Sequence, residues 1–192
     1  MKSDIILAGV GGQGILSIAA VLGAAALNEN YYLKQAETHG MSQRGGEVVS
    51  HLRISDRPVH SDLIPLGKAG LILSVEPLES LRYLPYLSAQ GTLVTNTVEF
   101  RNIVNYPDIK KIFEELAGKL KMIRINADQL AKDMGNPRAS NMVMLGAASP
   151  FIEISPEIII KGIKDVFKPK GKKIVGSNID LFLEGRKFSE GQ

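Results

Sequence analysis

Cysteine is absent from all 192 residues, and that one absence closes several chemistries: no disulfide, no thiol nucleophile and no thiolates to hold an iron–sulfur cluster. If electrons move in a system that contains this chain, another polypeptide carries the clusters. No apolar run approaches the length of a membrane span, and the opening MKSDIILAGV enters a strand directly instead of pairing a charged leader with a long apolar core. The expectation is a cytoplasmic protein with no membrane partner. A strong excess of one charge is also lacking. Lysine plus arginine (23) exceeds aspartate plus glutamate (20) by three, and the excess is spread along the chain, which does not argue for nucleic acid. The densest basic stretch, KPKGKK from Lys168 to Lys173, contains Pro169 and Gly171 and reads as a solvated turn between helices.

What is present is ordinary for a globular chain: 44% hydrophobic and 22% charged residues. The length suits a single domain over residues 1–192, burying about 70% of the surface that the unfolded chain exposes. Short β-branched runs alternate with longer helical patterns, so the expected fold is α/β: a Rossmann-like three-layer arrangement with a mostly parallel sheet, a hairpin, and helices on both faces.

The strands expected are DIILAGV, YYLKQAETH ending near Glu37, EVVSHLRIS, GLILSV, GTLVTN and KMIRIN. In EVVSHLRIS, Val48, Leu52 and Ile54 share a face that is expected to be the buried one, with His51 and Arg53 opposite. Asp56, Arg57 and Pro58 signal a turn, after which VHSDLI is expected to return as a short hairpin strand and make the sheet mixed. A helix is expected from Gly14 to about Asn28, alanine-rich and able to lie close to a sheet, and another with Pro77 in its first turn. Ile109, Ile112, Phe113, Leu116 and Leu120 mark one face of a third, after Pro107 and Asp108. Three more follow: Arg138 to Phe151, apolar nearly all round and so buried in the domain or against a partner, one opened by Ser155 and Pro156, and a last one opened by Ser177.

Gly9, Gly11 and Gly14 fit G-x-G-x-x-G at a strand-to-helix junction, where the glycines permit a tight turn, close approach of an anion and close helix–strand packing. Unpaired amides at the helix start favour a phosphate or pyrophosphate. The loop alone names no cofactor, and the glycines could serve turn and packing only; a fourth, Gly12, tips the balance towards ligand contact. Glu37, 23 positions after Gly14, stands near the spacing at which an acidic residue meets a ribose hydroxyl, which keeps a stand-alone NAD-dependent oxidoreductase open. No recognisable catalytic set accompanies it.

The stretch ETHGMSQRGGEVVSHLRI is the more unusual. Its loop carries His39, Ser42, Gln43, Arg44, Gly45 and Gly46, rich in donors and flexible backbone but without an identifiable nucleophile–base pair, so the catalytic residues are unknown. It is expected to emerge beside the first glycine loop, the two flanking one crevice. His39 could hydrogen-bond its own loop or meet a ligand. His51 and Arg53 read as packing at the sheet or an interface, His60 as solvated, Asn141 as satisfying buried backbone, and Met142 and Met144 as core or interface filler.

GVGGQGILSIAAVL, AETHGMSQRGGEVVSHLRIS and SNMVMLGA together resemble the gamma-type subunits of 2-oxoacid:ferredoxin oxidoreductases, most closely the branch of the indolepyruvate ferredoxin oxidoreductases in which this is the beta subunit. The likeness spans the chain to about Ala148, and HGMSQRGG is its most specific part. It implies a non-redox subunit of a heteromeric enzyme that converts a 2-oxoacid, indolepyruvate or another arylpyruvate, with coenzyme A and oxidised ferredoxin, to acyl-CoA, carbon dioxide and reduced ferredoxin. It also implies that thiamine diphosphate, magnesium and iron–sulfur clusters sit on a larger partner subunit, through which ferredoxin is served. The missing cysteines, and the lack of a G-D-G segment of the kind that holds thiamine-bound magnesium, agree. This chain would bind no cofactor or metal by itself and would not be active alone. It would help complete the site where coenzyme A reaches the thiamine centre, with Gly9, Gly11, Gly12, Gln13, Gly14, His39, Ser42, Gln43, Arg44, Gly45 and Gly46 as the implied contacts and Arg44 the fixed charge suited to phosphate. A ligand-free interaction module, suggested by the apolar helix around Met142, is the remaining alternative.

Overall fold

β1 (Lys2–Val10) is apolar along almost its whole length because it is hydrogen-bonded on both edges and covered on both faces. The computed structural model, which describes residues 1–40, 45–101 and 103–192, places Ile5 and Leu7 in one core and Ile6 and Ala8 in another on the opposite side of the sheet. The same alternation divides Leu71 and Leu73 from Ile72 on β4 (Ala69–Ser74).

The sheet order is β2-β3-β1-β4-β5-β6, with β2 at Tyr32–His39, β3 at Glu47–Ser55, β5 at Leu87–Asn96 and β6 at Lys121–Ile125. β1, β4, β5 and β6 run parallel, while β3 is antiparallel to both β1 and β2. On one face lie α1 (Ile15–Asn28), α4 (Ala127–Asp133), α5 (Ser140–Ala148), α6 (Pro156–Phe167) and α7 (Lys172–Glu190). On the other lie α2 (Pro77–Arg82) and α3 (Ile109–Leu116). This is the expected three-layer α/β arrangement. Among the described residues no helix is long and apolar enough to cross a membrane.

α5 is apolar all round because it is sandwiched inside the chain's own core, with every residue from Asn141 to Ala148 buried. Its backbone approaches α7 so closely that a Cβ on Gly146 would strike the Phe182 carbonyl, and one on Gly185 the Val143 carbonyl. Met142 and Met144 are fully buried, which removes the observation that suggested a partner-binding helix.

Several local expectations are corrected. Residues 59–64 are not a strand; the hairpin in the sheet is β2–β3. The segment is instead pinned across the sheet face by side chains of β3: the Arg53 guanidinium donates to the Ser61 and Leu63 carbonyls, each at 3.1 Å, and the Ile64 amide donates to His51 Nδ1 at 3.1 Å. Burial lowers the pKa of His51, and Arg53 holds the buried Asp4 through two nitrogens at 2.8 and 3.2 Å. β3 is therefore buried on both faces, not one. α7 begins at Lys172, after Gly171 with φ 91°, five residues before Ser177; Ser177 Oγ accepts from Asn136 Nδ2 within the fold. Four helices, not three, follow β6, because Asn126 caps the short α4 through the Gln129 amide. Leu120 falls beyond α3, past Gly118 with φ 75°. His60 is exposed, as expected.

Candidate functional site

β1 hands the chain to α1 through Gly11–Gly14, and the helix starts bare. Its N-cap is Gly14, in the left-handed region (φ 81°, ψ 24°), with no capping side chain and no acidic residue in the first turn. The Gly14 carbonyl accepts from Ser17 and Ile18, but the amides of Ile15 and Leu16 have no intrahelical acceptor in reach. The amides of Gly12 and Gly14 take no partner among the described residues. Gly12 has φ 99°, a conformation that favours glycine, and a Cβ built on it meets nothing within 4 Å, so the space in front of it is open. Four donors, at the positive end of a helix dipole, thus lie at the C-terminal edge of the sheet.

The neighbours of this opening are held from behind. Gln13 folds back, its Oε1 accepting from the Val10 amide at 3.0 Å while its own amide donates to the Val10 carbonyl at 3.2 Å; it braces the turn. Asn141, from buried α5, donates through Nδ2 to the Gly14 carbonyl at 3.1 Å and stands 2.6 Å from where a Gly14 Cβ would be. Asn141 satisfies buried backbone, and that backbone is the glycine loop itself. Gly9 lies within β1, its missing side chain leaving room for Val75 and Ile15.

The second loop meets the first. The Gly11 amide donates to the Gly46 carbonyl at 2.8 Å, the Gly45 amide to the Gly11 carbonyl at 3.4 Å, and the Gly40 amide to the Glu47 carbonyl at 2.8 Å. Antiparallel β3 starts beside the end of β1, with Glu47 opposite Val10, which makes one rim of the two loops. Ser42, Gln43 and Arg44, together with Met41, lie outside the described residues. His39 is exposed and pairs through Nε2 with Glu37.

Two hollows flank the glycine loop. One, of about 350 Å³, lies between Gly11–Ser17 and the pair His39 and Val48. The other, of about 390 Å³, lies between Gly12–Gly14 and the side chains of Asn141, Asn178, Arg138 and Lys170. Arg138 and Lys170 are both exposed and bring positive charge to the open helix start. Neither is foreshadowed by local pattern: Arg138 precedes the apolar helix, and Lys170 belongs to the stretch expected as a solvated turn.

The strand next to β1 ends in the opposite chemistry. Glu76, 1% exposed, caps α2: its Oε2 accepts from the Glu79 amide at 2.9 Å, and its Oε1 accepts from the Phe100 amide at 3.2 Å and from the Tyr106 hydroxyl. Burial, followed by the bond to Glu76, pushes the Tyr106 hydroxyl pKa well up. Burial also raises the pKa of Glu79, against the opposing pull of Arg82 at 2.9 Å. Sequence reasoning missed Glu76; the signal was a carboxylate immediately before Pro77 with an acidic residue three positions on.

A dinucleotide geometry is not assembled here. Glu37 sits on β2, separated from β1 by β3, and its carboxylate is engaged by His39 and, at 3.2 Å, by Gln35. Among the described residues, no three metal-ligating side chains come together.

The family model described as pyruvate ferredoxin/flavodoxin oxidoreductase matches residues 4–188. Indolepyruvate oxidoreductase subunit IorB of Thermococcus kodakarensis is 40% identical over 178 residues, 87% of each chain. Two solved structures share the fold. A 2-oxoglutarate:ferredoxin oxidoreductase from Magnetococcus marinus, with 2-oxoglutarate, coenzyme A and succinyl-CoA bound, has a TM-score of 0.81 at 21% identity over all of this chain. This chain spans 31% of that one. The gamma subunit of a keto/oxoacid ferredoxin oxidoreductase from Geobacter sulfurreducens has a TM-score of 0.73 at 22% identity, covering 99% of both chains.

Proposed function

The chain belongs to the pyruvate ferredoxin/flavodoxin oxidoreductase family, as a subunit of a 2-oxoacid:ferredoxin oxidoreductase, and from that premise we propose that it supplies the phosphate-receiving wall of the coenzyme A site. The observation that carries this reading is the uncapped start of α1: the amides of Gly12 and Gly14 take no partner among the described residues, those of Ile15 and Leu16 have no intrahelical acceptor, and Arg138 and Lys170 line the hollow beside them. Coenzyme A carries a pyrophosphate and a ribose phosphate, anions matched to amides at a helix dipole and to a guanidinium.

In this reading Gly11, Gly12 and Gly14 bring bare backbone to the ligand, Gly9 and Gln13 set the turn, and Gly45 and Gly46 brace it from the second loop. His39 adds a donor at the rim, and Ser42, Gln43 and Arg44 are the further contacts proposed from the sequence, with Arg44 the fixed charge suited to phosphate. The 2-oxoacid is indolepyruvate or another arylpyruvate. Thiamine diphosphate, magnesium and the iron–sulfur clusters belong to a larger partner subunit, which performs the decarboxylation and passes electrons to ferredoxin. This chain, acting as one domain over residues 1–192 in a cytoplasmic assembly, orients the thiol carrier and has no turnover alone.

The test is reconstitution with the larger subunit, following ferredoxin reduction against coenzyme A concentration. Gly12→Val is expected to raise the KM for coenzyme A while the assembly still forms; an unchanged KM contradicts the reading.

A further inference from the structure

Two buried asparagines line the hollow between the glycine loop and α7, and each has one polar atom left over. Asn141, on α5, is 8% exposed, and Asn178, on α7, is 3% exposed. Asn141 Nδ2 donates to the Gly14 carbonyl at 3.1 Å, and Asn178 Nδ2 donates to the Ile174 carbonyl, one turn earlier in α7, at 2.8 Å. Both partners are carbonyls, which only an N–H can satisfy, so the amide orientation is fixed and the free end is the oxygen. Neither Oδ1 accepts a hydrogen bond among the described residues. Neither is sealed inside the protein, so the little exposure each residue keeps is at the hollow it lines. Buried polar groups are hydrogen-bonded as a rule, and two free acceptors on one wall mark a place for donors.

The two oxygens are held rigidly. α5 and α7 pack backbone against backbone where Gly146 meets the Phe182 carbonyl and Gly185 the Val143 carbonyl, which fixes the asparagines relative to each other. The rest of the hollow is cationic. No carboxylate lines it, whereas Arg138 and Lys170 both do, the Lys170 ammonium standing 5.2 Å from the centre of the buried Phe167 ring. An inorganic anion has charge for the cations but nothing to donate to the oxygens. A nucleoside phosphate has both: phosphate for Arg138 and Lys170, and an exocyclic amino group or ribose hydroxyl for the asparagines. The volume of about 390 Å³ falls within the roughly 300–1,000 Å³ of small-molecule sites. The hollow on the other side of the glycine loop is different in kind, with Val10, Ile15, Leu16 and Val48 in its wall beside His39.

We infer that the hollow on the α7 side holds the 3′-phosphoadenosine end of coenzyme A, with Asn141 and Asn178 accepting from its base or sugar and Arg138 and Lys170 facing its 3′-phosphate. The choice of coenzyme A rests on the proposed function; the hollow adds discrimination for the 3′-phosphate and sets which side of the glycine loop the nucleotide takes. The uncharged pantetheine arm then crosses the loop towards the apolar hollow.

The experiment uses the enzyme reconstituted with the larger subunit, coenzyme A and 3′-dephospho-coenzyme A as alternative co-substrates, and adenosine 3′,5′-bisphosphate as competitor. The wild type is expected to favour coenzyme A by at least about tenfold in KM, the scale of a charge-paired phosphate. Arg138→Gln combined with Lys170→Gln, both at exposed positions, should raise the KM for coenzyme A and leave that for the dephospho form nearly as it was, so that the preference collapses. Asn178→Leu keeps the size of the side chain and removes the oxygen. It should raise the inhibition constant of the bisphosphate about tenfold, with thermal melting reporting the state of the fold. A wild-type enzyme without the preference overturns the inference. So does a double variant that loses equally on both co-substrates, or an Asn178→Leu enzyme that binds the competitor as tightly as the wild type. Where Asn178→Leu fails to fold, the exposed double variant decides. Gly12→Val separates the two proposals. A raised KM for both co-substrates, with the preference kept in the double variant, leaves the phosphate-receiving amides standing and removes the nucleoside hollow; an unchanged KM beside a collapsed preference does the reverse.

Discussion

Two helices start side by side at the C-terminal edge of this sheet, and they end their strands in opposite ways. α1, after β1, begins on glycine with no capping side chain, and the amides of Gly12 and Gly14 take no partner among the described residues. α2, after the adjacent β4, begins on Glu76, whose buried carboxylate caps the Glu79 amide and also binds Phe100 and Tyr106. Both helix starts carry the same partial positive charge from aligned peptide dipoles. At α2 an internal anion already neutralises it and organises the next loop; at α1 the protein leaves it unneutralised and places Arg138 and Lys170 nearby. One is a structural joint and the other is the proposed receptor, although both follow a buried parallel strand.

Breaking the joint should cost the most. Glu76→Ala removes the cap of α2 and leaves the Tyr106 hydroxyl and Phe100 amide without their acceptor, a destabilisation of about 3 kcal/mol from one cap and charged hydrogen bonds. Urea unfolding should show it as a lower midpoint at an unchanged slope. Breaking the receptor should instead affect ligand more than fold. Gly12→Val forces a branched side chain into a left-handed backbone, costing ~1–2 kcal/mol of stability, and should raise the KM for coenzyme A roughly 30-fold in the assembled enzyme, which is about 2 kcal/mol. Turnover at saturating coenzyme A should stay near normal.

Loosening the receptor without obstructing it should do less. Asn141→Ala removes the bond to the Gly14 carbonyl, worth about 1 kcal/mol, and steady-state kinetics should show a rise of about fivefold in that KM. The smallest effect lies at the joint. Burial raises the Glu79 pKa, so the folded state favours the protonated form. The corresponding stability is fully present below the ordinary glutamate range and is lost as pH rises through the raised value. Glu79→Gln should flatten this part of the stability–pH curve, measured by denaturant titration from acid to neutral pH, by under ~1 kcal/mol because Arg82 offsets the burial.

The glycine turn and the bare start of α1 were legible in the sequence and the Glu76 joint was not, for physical reasons. β1, the glycines and α1 are contiguous, so a continuous apolar run, residues able to adopt positive φ and a small-residue helix state the whole device within about twenty positions. The function of Glu76 depends on Tyr106, thirty positions away, and no local period records that. The same distinction explains the misplaced hairpin. Residues 59–64 carry a strand-like pattern, but their backbone groups are taken by Arg53 and His51 from β3, a long-range competition that local alternation does not reveal. α5 was legible as buried, and only packing decided that its cover is α7 and the sheet and not another protein. Arg138 reaches the glycine loop only because the chain returns there after β6 and α4, so its position in the sequence carries no sign of the site.

The most direct test of the receptor is a structure of the assembled enzyme with coenzyme A bound. The account predicts phosphate oxygens of the ligand within hydrogen-bonding distance of the amides between Gly12 and Leu16. Coenzyme A bound with all its phosphates on the larger subunit, and the start of α1 remote from it, would contradict the account.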